Sequence, residues 1–312
     1  MTLRIMTEPQ LGSSYAQQLQ LAQLSERLGF AAFFRSDHYL TFGDSSGLPS
    51  TTDAWLTLAG LARDTSTIRL GTMVTPVTFR PLGTLPVLAA QVDHMSEGRL
   101  EVGLGAGWYE AEHRAYGLPF PPLGARFDLL EDQLAILDGV WTAPAGETFS
   151  YHGRTIAVEI QADTVRPYQR PRPPIVLGGN AGPRAARLAA RYGAEYNKAF
   201  VETATIVATH DKIRRACEAV DRDPATMVYS TSLTLCCATT EAEIARRAAA
   251  IGRTVEDLRA VGAAGSPSEV LDRLGELADG GVDRFYLQVL DLDDPDQIHL
   301  IAEEVLPHAP GR

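Results

Sequence analysis

The feature that most limits how this chain can fold is a repeated alternation. Short apolar, β-branched segments recur between helical patterns from one end to the other, which predicts a parallel sheet joined by crossover helices. The segments are Leu3–Thr7, Ala31–Ser36, Ile68–Val74, Leu100–Leu104, Pro174–Leu177, Ala194–Phe200, Val228–Ala238 and Arg284–Leu290. Between them, Leu21, Leu24 and Leu28 mark the face of a first helix, and Phe127, Leu130, Leu134, Leu137 and Trp141 mark a later one. Both sets step by three or four residues, as an amphipathic helix requires. Eight strands close a (β/α)8 TIM barrel, whereas an open doubly wound sheet usually has fewer. The 312 residues fit one such α/β domain over 1–312. An excursion at 142–173, a hairpin followed by a proline-rich approach to strand five, would interrupt it.

In barrels the active site lies at the carboxyl ends of the strands. The loops leaving strands two, three and four there are long or unusual: His38–Thr52, Thr75–Gly83 and Ala106–Leu123. The most informative run is Glu101–Glu112, E-V-G-L-G-A-G-W-Y-E-A-E. It begins as a strand, breaks into Gly103, Gly105 and Gly107, where the backbone can approach a flat ligand, and then presents Trp108, Tyr109 and Glu110. A dinucleotide fingerprint G-x-G-x-x-G would need glycine where Trp108 stands, and no acidic residue at a second strand end supports it.

Other strand ends carry polar groups. Ser36-Asp37-His38 closes strand two, and a polar trio there is costly to bury without partners, so it is expected to face the cavity. His38 has the side chain suited to proton exchange near neutral pH. The end of strand three, through Met73, Val74, Thr75 and Pro76, reads either as a bulge beneath a planar ring or as a plain strand stop. Leu177-Gly178-Gly179-Asn180 leads into a helix bearing Arg184 and Arg187, a pattern that predicts a phosphate site. Lys198, at the end of strand six, could meet an anionic tail.

Several classes are excluded by what is missing. There is no H-x-H pair, no H-E-x-x-H and no G-x-S-x-G, so neither a metal centre nor a hydrolase nucleophile is expected. A net charge of −11 argues against nucleic acid or an anionic membrane as partner. Apolar runs fall short of a membrane span, and Cys217, Cys236 and Cys237 fit a reduced, cytoplasmic setting. A small-molecule substrate is the expected partner.

With these residues in view, the chain resembles the luciferase-like family of barrel oxidoreductases, within it the branch that uses the deazaflavin coenzyme F420. The resemblance rests on L-G-F-A-A-F-F-R-S-D-H, R-L-G-T-M-V-T-P-V-T-F-R, S-E-G-R-L-E-V-G-L-G-A-G-W-Y-E-A-E-H, P-F-P-P-L-G-A-R-F, R-P-R-P-P-I-V-L-G-G-N and A-D-G-G-V-D-R-F-Y-L-Q, nearly end to end. It implies a ring in the barrel mouth, with Asp37 and His38 beside it. Met73–Val74 would be a non-proline cis peptide bracing the ring, with Thr75 following. Ala106, Gly107, Trp108 and Tyr109 would line the ring, and Gly178, Gly179 and Asn180 would take the cofactor phosphate. A homodimer is implied as well. The sugar-phosphate dehydrogenase branch has glutamate directly after its G-x-G; here Trp108 stands there, so glucose 6-phosphate is not the expected substrate. Glu110, two residues on, is the remaining acid candidate beside His38. Phe42, Trp55 and Trp108, with the loop Tyr39–Thr52, are expected to shape an apolar substrate pocket. Two readings stay beside the F420-dependent oxidoreductase: an FMN-dependent monooxygenase of the same fold, and a non-catalytic binding protein for the cofactor.

Overall fold

The computed structural model of the protein describes residues 2–43, 46–49 and 51–310. Asp44, Ser45 and Ser50, in the loop expected to shape the substrate pocket, lie outside them, as do Met1, Gly311 and Arg312.

Eight strands form the barrel: β1 Thr2–Thr7, β2 Ala32–Arg35, β3 Arg69–Thr72, β4 Leu100–Gly105, β5 Ile175–Gly178, β6 Glu195–Asn197, β7 Val228–Cys237 and β8 Arg284–Val289. Each pairs in parallel with the next, and β8 pairs with β1 to close the ring. Around it stand α1 Tyr15–Arg27, α2 Ala54–Asp64, α3 Leu85–Met95, α4 Leu123–Thr142, α5 Pro183–Tyr192, α6 Thr203–Glu218, α7 Pro267–Asp279 and α8 Pro295–Leu300. Local chemistry starts several of these helices. Ser14 with Gln17, and Ser266 with Glu269, make capping boxes on α1 and α7, while Asp53 caps α2.

Side-chain alternation along the strands builds two cores. Leu3, Ile5 and Phe33 point outward into the main apolar layer between barrel and helices. Inside the barrel, Met6, Ala32, Phe34, Val176 and Tyr286 fill the middle. Below them, at the amino-terminal floor, lies a buried ionic network. Arg4 donates to Glu101 at 2.7 Å and to the Tyr286 hydroxyl at 3.1 Å. Tyr286 donates in turn to Glu195 at 2.8 Å, with Arg69 on Glu101 and Arg284 on Glu195.

Strand three stops at Thr72, short of the expected Val74, because the chain turns at Met73–Val74 and resumes as Thr75–Pro76, which pairs with β4. Strand six is three residues long, not the seven expected; Phe200 at its far end adopts a positive φ of 56°, incompatible with a continuing strand. The segment after β7 holds structure that the periodicity did not reveal: helices Glu241–Ala250 and Val255–Val261, then a short strand Ala263–Gly265 paired with β7. Between α4 and β5, Thr148–His152 and Ala157–Gln161 form the antiparallel hairpin expected there. It is fastened to α4 through Asp132, which accepts from the Tyr151 hydroxyl and from Thr155. Among the described residues, no helix is long and apolar enough to cross a membrane.

Candidate active site at the carboxyl end of the barrel

The mouth opens over a chain of polar side chains supplied by β7, β8 and the segments that follow β1 and β2. Thr234 donates to Gln288, Gln288 to Glu8, Gln10 to Glu8, and Ser36 to Gln10, each contact between 2.6 and 2.9 Å. Glu8 is only 8% exposed and, among the described residues, makes no ion-pair contact; neutral amides satisfy it.

His38 stands at the end of β2, 12% exposed, with its Nδ1 2.9 Å from Glu112 Oε2. Glu112 is fully buried in the short helix Glu110–Ala115 and also accepts from the backbone N–H groups of Tyr39 and Leu40. The imidazole lies edge-on to Phe42, Trp108 and Tyr109, with centroids 5.7 to 6.2 Å away. Trp108 and Tyr109 stack on each other at 5.1 Å, and the Tyr109 hydroxyl ties the cage to the Thr41 carbonyl. Nε2 of His38 has no hydrogen-bond partner among the described residues. Burial works against protonating this ring. The hydrogen bond and charge of Glu112, helped by Glu8 and Asp37, outweigh it and hold the imidazole pKa above its ordinary value. The same pairing lowers the Glu112 pKa against the effect of its burial. Glu112 is not among the candidates that the sequence singles out. Glu110, the carboxylate singled out there, is exposed on the first turn of that helix.

Asp37 is completely buried and turned away from this cage. It accepts from Arg80 at 2.6 Å and from the Thr75 hydroxyl at 2.8 Å. Arg80 bridges onward to Asp53, which also accepts from the Tyr39 hydroxyl. Trp55 donates its indole N–H to Thr75 and is 3% exposed, part of the core rather than of an open pocket. The physical reason is its place on α2, in register with Leu58 and Leu61 on the face that packs against the barrel.

The peptide between Met73 and Val74 is cis, as the resemblance implies. The glycines of β4 are explained by this neighbouring turn more than by ligand approach. A Cβ at Gly103 would stand 1.8 Å from the Thr72 carbonyl oxygen, and one at Gly105 2.9 Å from the Val74 side chain. Gly107 is needed for its φ of 79°. Gly103→Ala is therefore expected to destabilise the protein by about 1–3 kcal/mol or more. A urea unfolding midpoint equal to that of the parent protein would contradict this account.

At the end of β5, Gly179 has a φ of 121°, and neither it nor Gly182 has an atom within 4 Å of where a Cβ would stand. This open cradle precedes α5. Lys198, 8% exposed, donates to Asn180 Oδ1 at 2.7 Å and has no carboxylate contact among the described residues. Burial, with Lys212 nearby, lowers its ammonium pKa. Arg184 and Arg187, expected to serve an anion here, instead pair with the acidic face of α4: Arg184 with Asp128 and Glu131, Arg187 with Glu131. The sequence signal for this was present in the Asp128/Glu131 spacing on the preceding helix.

A cleft of about 740 Å³ opens on the β8–β1 side of the mouth, its lining including Glu8, Leu11, Phe42, Ile251, Leu290 and Asp293. Phe42 belongs both to this cleft and to the His38 cage.

A model of the luciferase-like monooxygenase family matches residues 2–257. The F420-dependent hydroxymycolic acid dehydrogenase of Mycobacterium tuberculosis is 32% identical over 174 residues, covering 55% of this chain and 46% of that protein. The FMNH2-dependent dimethylsulfone monooxygenase of Pseudomonas putida is 30% identical over 169 residues, covering 54% and 44%. The chain spans about half the length of the curated relatives it matches. Among solved structures, monooxygenase RslO1 of Streptomyces bottropensis superposes with a TM-score of 0.79 at 23% identity, over 99% of this chain and 100% of that one, a likeness of fold.

Proposed function

Because the chain belongs to the luciferase-like monooxygenase family, we propose that it is an F420-dependent oxidoreductase, passing a hydride between the deazaflavin and a small organic substrate. The family contains members that use F420 and members that use FMN. The observation that supports hydride chemistry here is the His38–Glu112 pair in its aromatic cage, at the edge of the mouth and beside a substrate-sized cleft. Moving a hydride to or from a C=O or C=N carbon requires a proton to follow at the heteroatom, and His38 is placed to exchange it.

The residues present fit such a cofactor. The cradle at Gly178, Gly179 and Asn180, with Lys198 beside it, suits a phosphate-bearing tail. Met73, Val74, Thr75 and the turn from Ala106 to Tyr109 would flank the ring, and the buried Asp37–Arg80 pair would hold that wall of the mouth in place. When bound, the deazaflavin supplies a two-electron carrier that exchanges hydride. The protein's own groups orient the substrate and handle the proton, with the Phe42, Trp108 and Tyr109 rings flanking His38.

The test is a pair of fluorescence titrations of the purified protein, with F420 and with FMN. Tight binding of F420 and weak binding of FMN is the expected result. Tight binding of FMN alone, with oxygen uptake when it is reduced, would overturn the proposal in favour of a flavin monooxygenase. Lys198→Met is expected to weaken F420 binding roughly tenfold to a hundredfold, the value of one charge-assisted hydrogen bond. Unchanged affinity in that variant would remove Lys198 from the phosphate site.

A further inference from the structure

Among the described residues, the charged group in contact with His38 is a carboxylate. Glu112 contacts it from the helix Glu110–Ala115, and two buried carboxylates that do not touch the ring, Glu8 in the turn after β1 and the adjacent Asp37, add negative charge in its neighbourhood. The Tyr109 phenol and the Trp108 indole close the cage from the turn after β4. Arg253 lines the cleft that Phe42 borders, while two other arginines of the mouth are committed elsewhere. Arg80 is held by Asp37 and Asp53, and Arg35 by Gln18, Thr52, Thr57 and the Ser36 and Thr52 carbonyls. On the same helix as Glu112, His113 is bonded to Thr78 and to the Tyr109 carbonyl. Glu112 itself cannot swing away, since it is fully buried and accepts from two consecutive backbone N–H groups.

We propose that Glu112 is a positioning residue that keeps His38 as a proton donor, so that the site works in the reductive direction. Nδ1–H is engaged by Glu112, which leaves Nε2–H as the proton that can leave. The substrate is then a ketone, an aldehyde or an imine. Hydride from the reduced deazaflavin forms the new C–H bond, and the C=O or C=N π pair moves to the heteroatom. That atom takes the Nε2 proton, giving an alcohol or amine and a neutral His38 that solvent reprotonates. This inference rests on the hydride-transfer reading above, so the experiment has one arm that needs no cofactor.

In that arm, NMR titration of the cofactor-free protein follows the His38 ring. His38 is expected to titrate above the ordinary imidazole value, to move to lower pH in Glu112→Gln, and to lie between the two in Glu112→Asp. Titration at or below the ordinary value in the parent protein, or no movement in either variant, overturns the proposal. The second arm measures turnover with reduced F420 and cyclohexanone or 1-pyrroline, and with oxidised F420 and cyclohexanol. Reduction should be the faster direction at neutral pH. A group that must be protonated gives a rate that falls as pH rises through its pKa, so Glu112→Gln shifts that fall to lower pH. Above the fall, its rate should drop roughly tenfold for each pH unit that the fall moves and recover on acidification. A uniform loss in both variants with no shift in the pH profile would mark Glu112 as merely structural and overturn the proposal, as would faster oxidation of cyclohexanol. If F420 does not bind, the function proposed above fails, while the NMR arm still decides whether Glu112 holds His38 protonated.

Discussion

Replacing His38 by glutamine is expected to lower turnover with F420 by about 10²- to 10⁴-fold, the usual contribution of a positioned acid or base, while cofactor affinity changes little. Glutamine is close to the imidazole in reach, and its amide can donate to Glu112 as Nδ1 does, so the buried carboxylate is not stranded. What it lacks is a group that releases a proton near neutral pH. The chemistry is therefore lost and the cage retained. Single-turnover absorbance of bound deazaflavin separates the two effects, because it reads hydride transfer without product release. Full single-turnover rate in His38→Gln would remove His38 from the mechanism. A parallel collapse of cofactor binding would instead show that the ring is needed for the shape of the mouth.

The largest effect on stability is expected far from the mouth. Glu101 is 2% exposed on the barrel floor and anchors Arg4, itself 2% exposed, together with Arg69. Glu101→Gln removes the carboxylate that both guanidinium groups contact and leaves buried Arg4 with only the charge of Glu195 nearby. Breaking a buried pair typically costs about 3–5 kcal/mol. Since whole proteins are stable by about 5–15 kcal/mol, the variant should unfold at a much lower urea concentration. The pH dependence has a definite sign. Burial would raise the Glu101 pKa, but Arg4, Arg69 and Arg284 hold it well below the usual carboxylate range. A depressed carboxylate contributes stability that is fully present above its unfolded pKa and is lost as pH falls through its folded one. The gap between parent and variant should thus be widest near neutrality and narrow in acid. A loss under about 1 kcal/mol at pH 7 would mean that water already solvates the floor and that the network does not act as a buried ion cluster.

Both predictions concern residues whose roles were unequally visible before the fold was known. His38 stood out because a polar trio ended an apolar strand, and the barrel rule places such an end at the mouth. Trp55 was placed in the substrate pocket on residue type, yet Trp55, Leu58, Leu61 and Ala62 share one helical face, and that spacing marks it as core. Arg184 and Arg187 looked like anion ligands beside glycines, but two arginines one turn apart equally match two acids one turn apart on the helix before, and in the fold they meet them. Glu110 and Glu112 are two residues apart, which on a helix puts them on nearly opposite sides. Only one of the two can turn inward, and nothing in E-A-E-H says which.

The number of barrel strands and the end that carries the candidate site follow from short-range patterns: apolar β-branched runs, helical steps of three and four, and polar residues and glycines at strand ends. These depend on a few neighbouring residues, so a single chain displays them. Which carboxylate meets His38 depends on partners 74 positions apart. Which acid neutralises Arg80, and which arginines sit on Glu101, depend likewise on loops and strands brought together only by barrel closure. Pairings such as these act through space between segments far apart in the chain and leave no periodic trace along it, unlike the matched helix spacing of Arg184 and Arg187 with Asp128 and Glu131. For that reason the tertiary structure alone decided them.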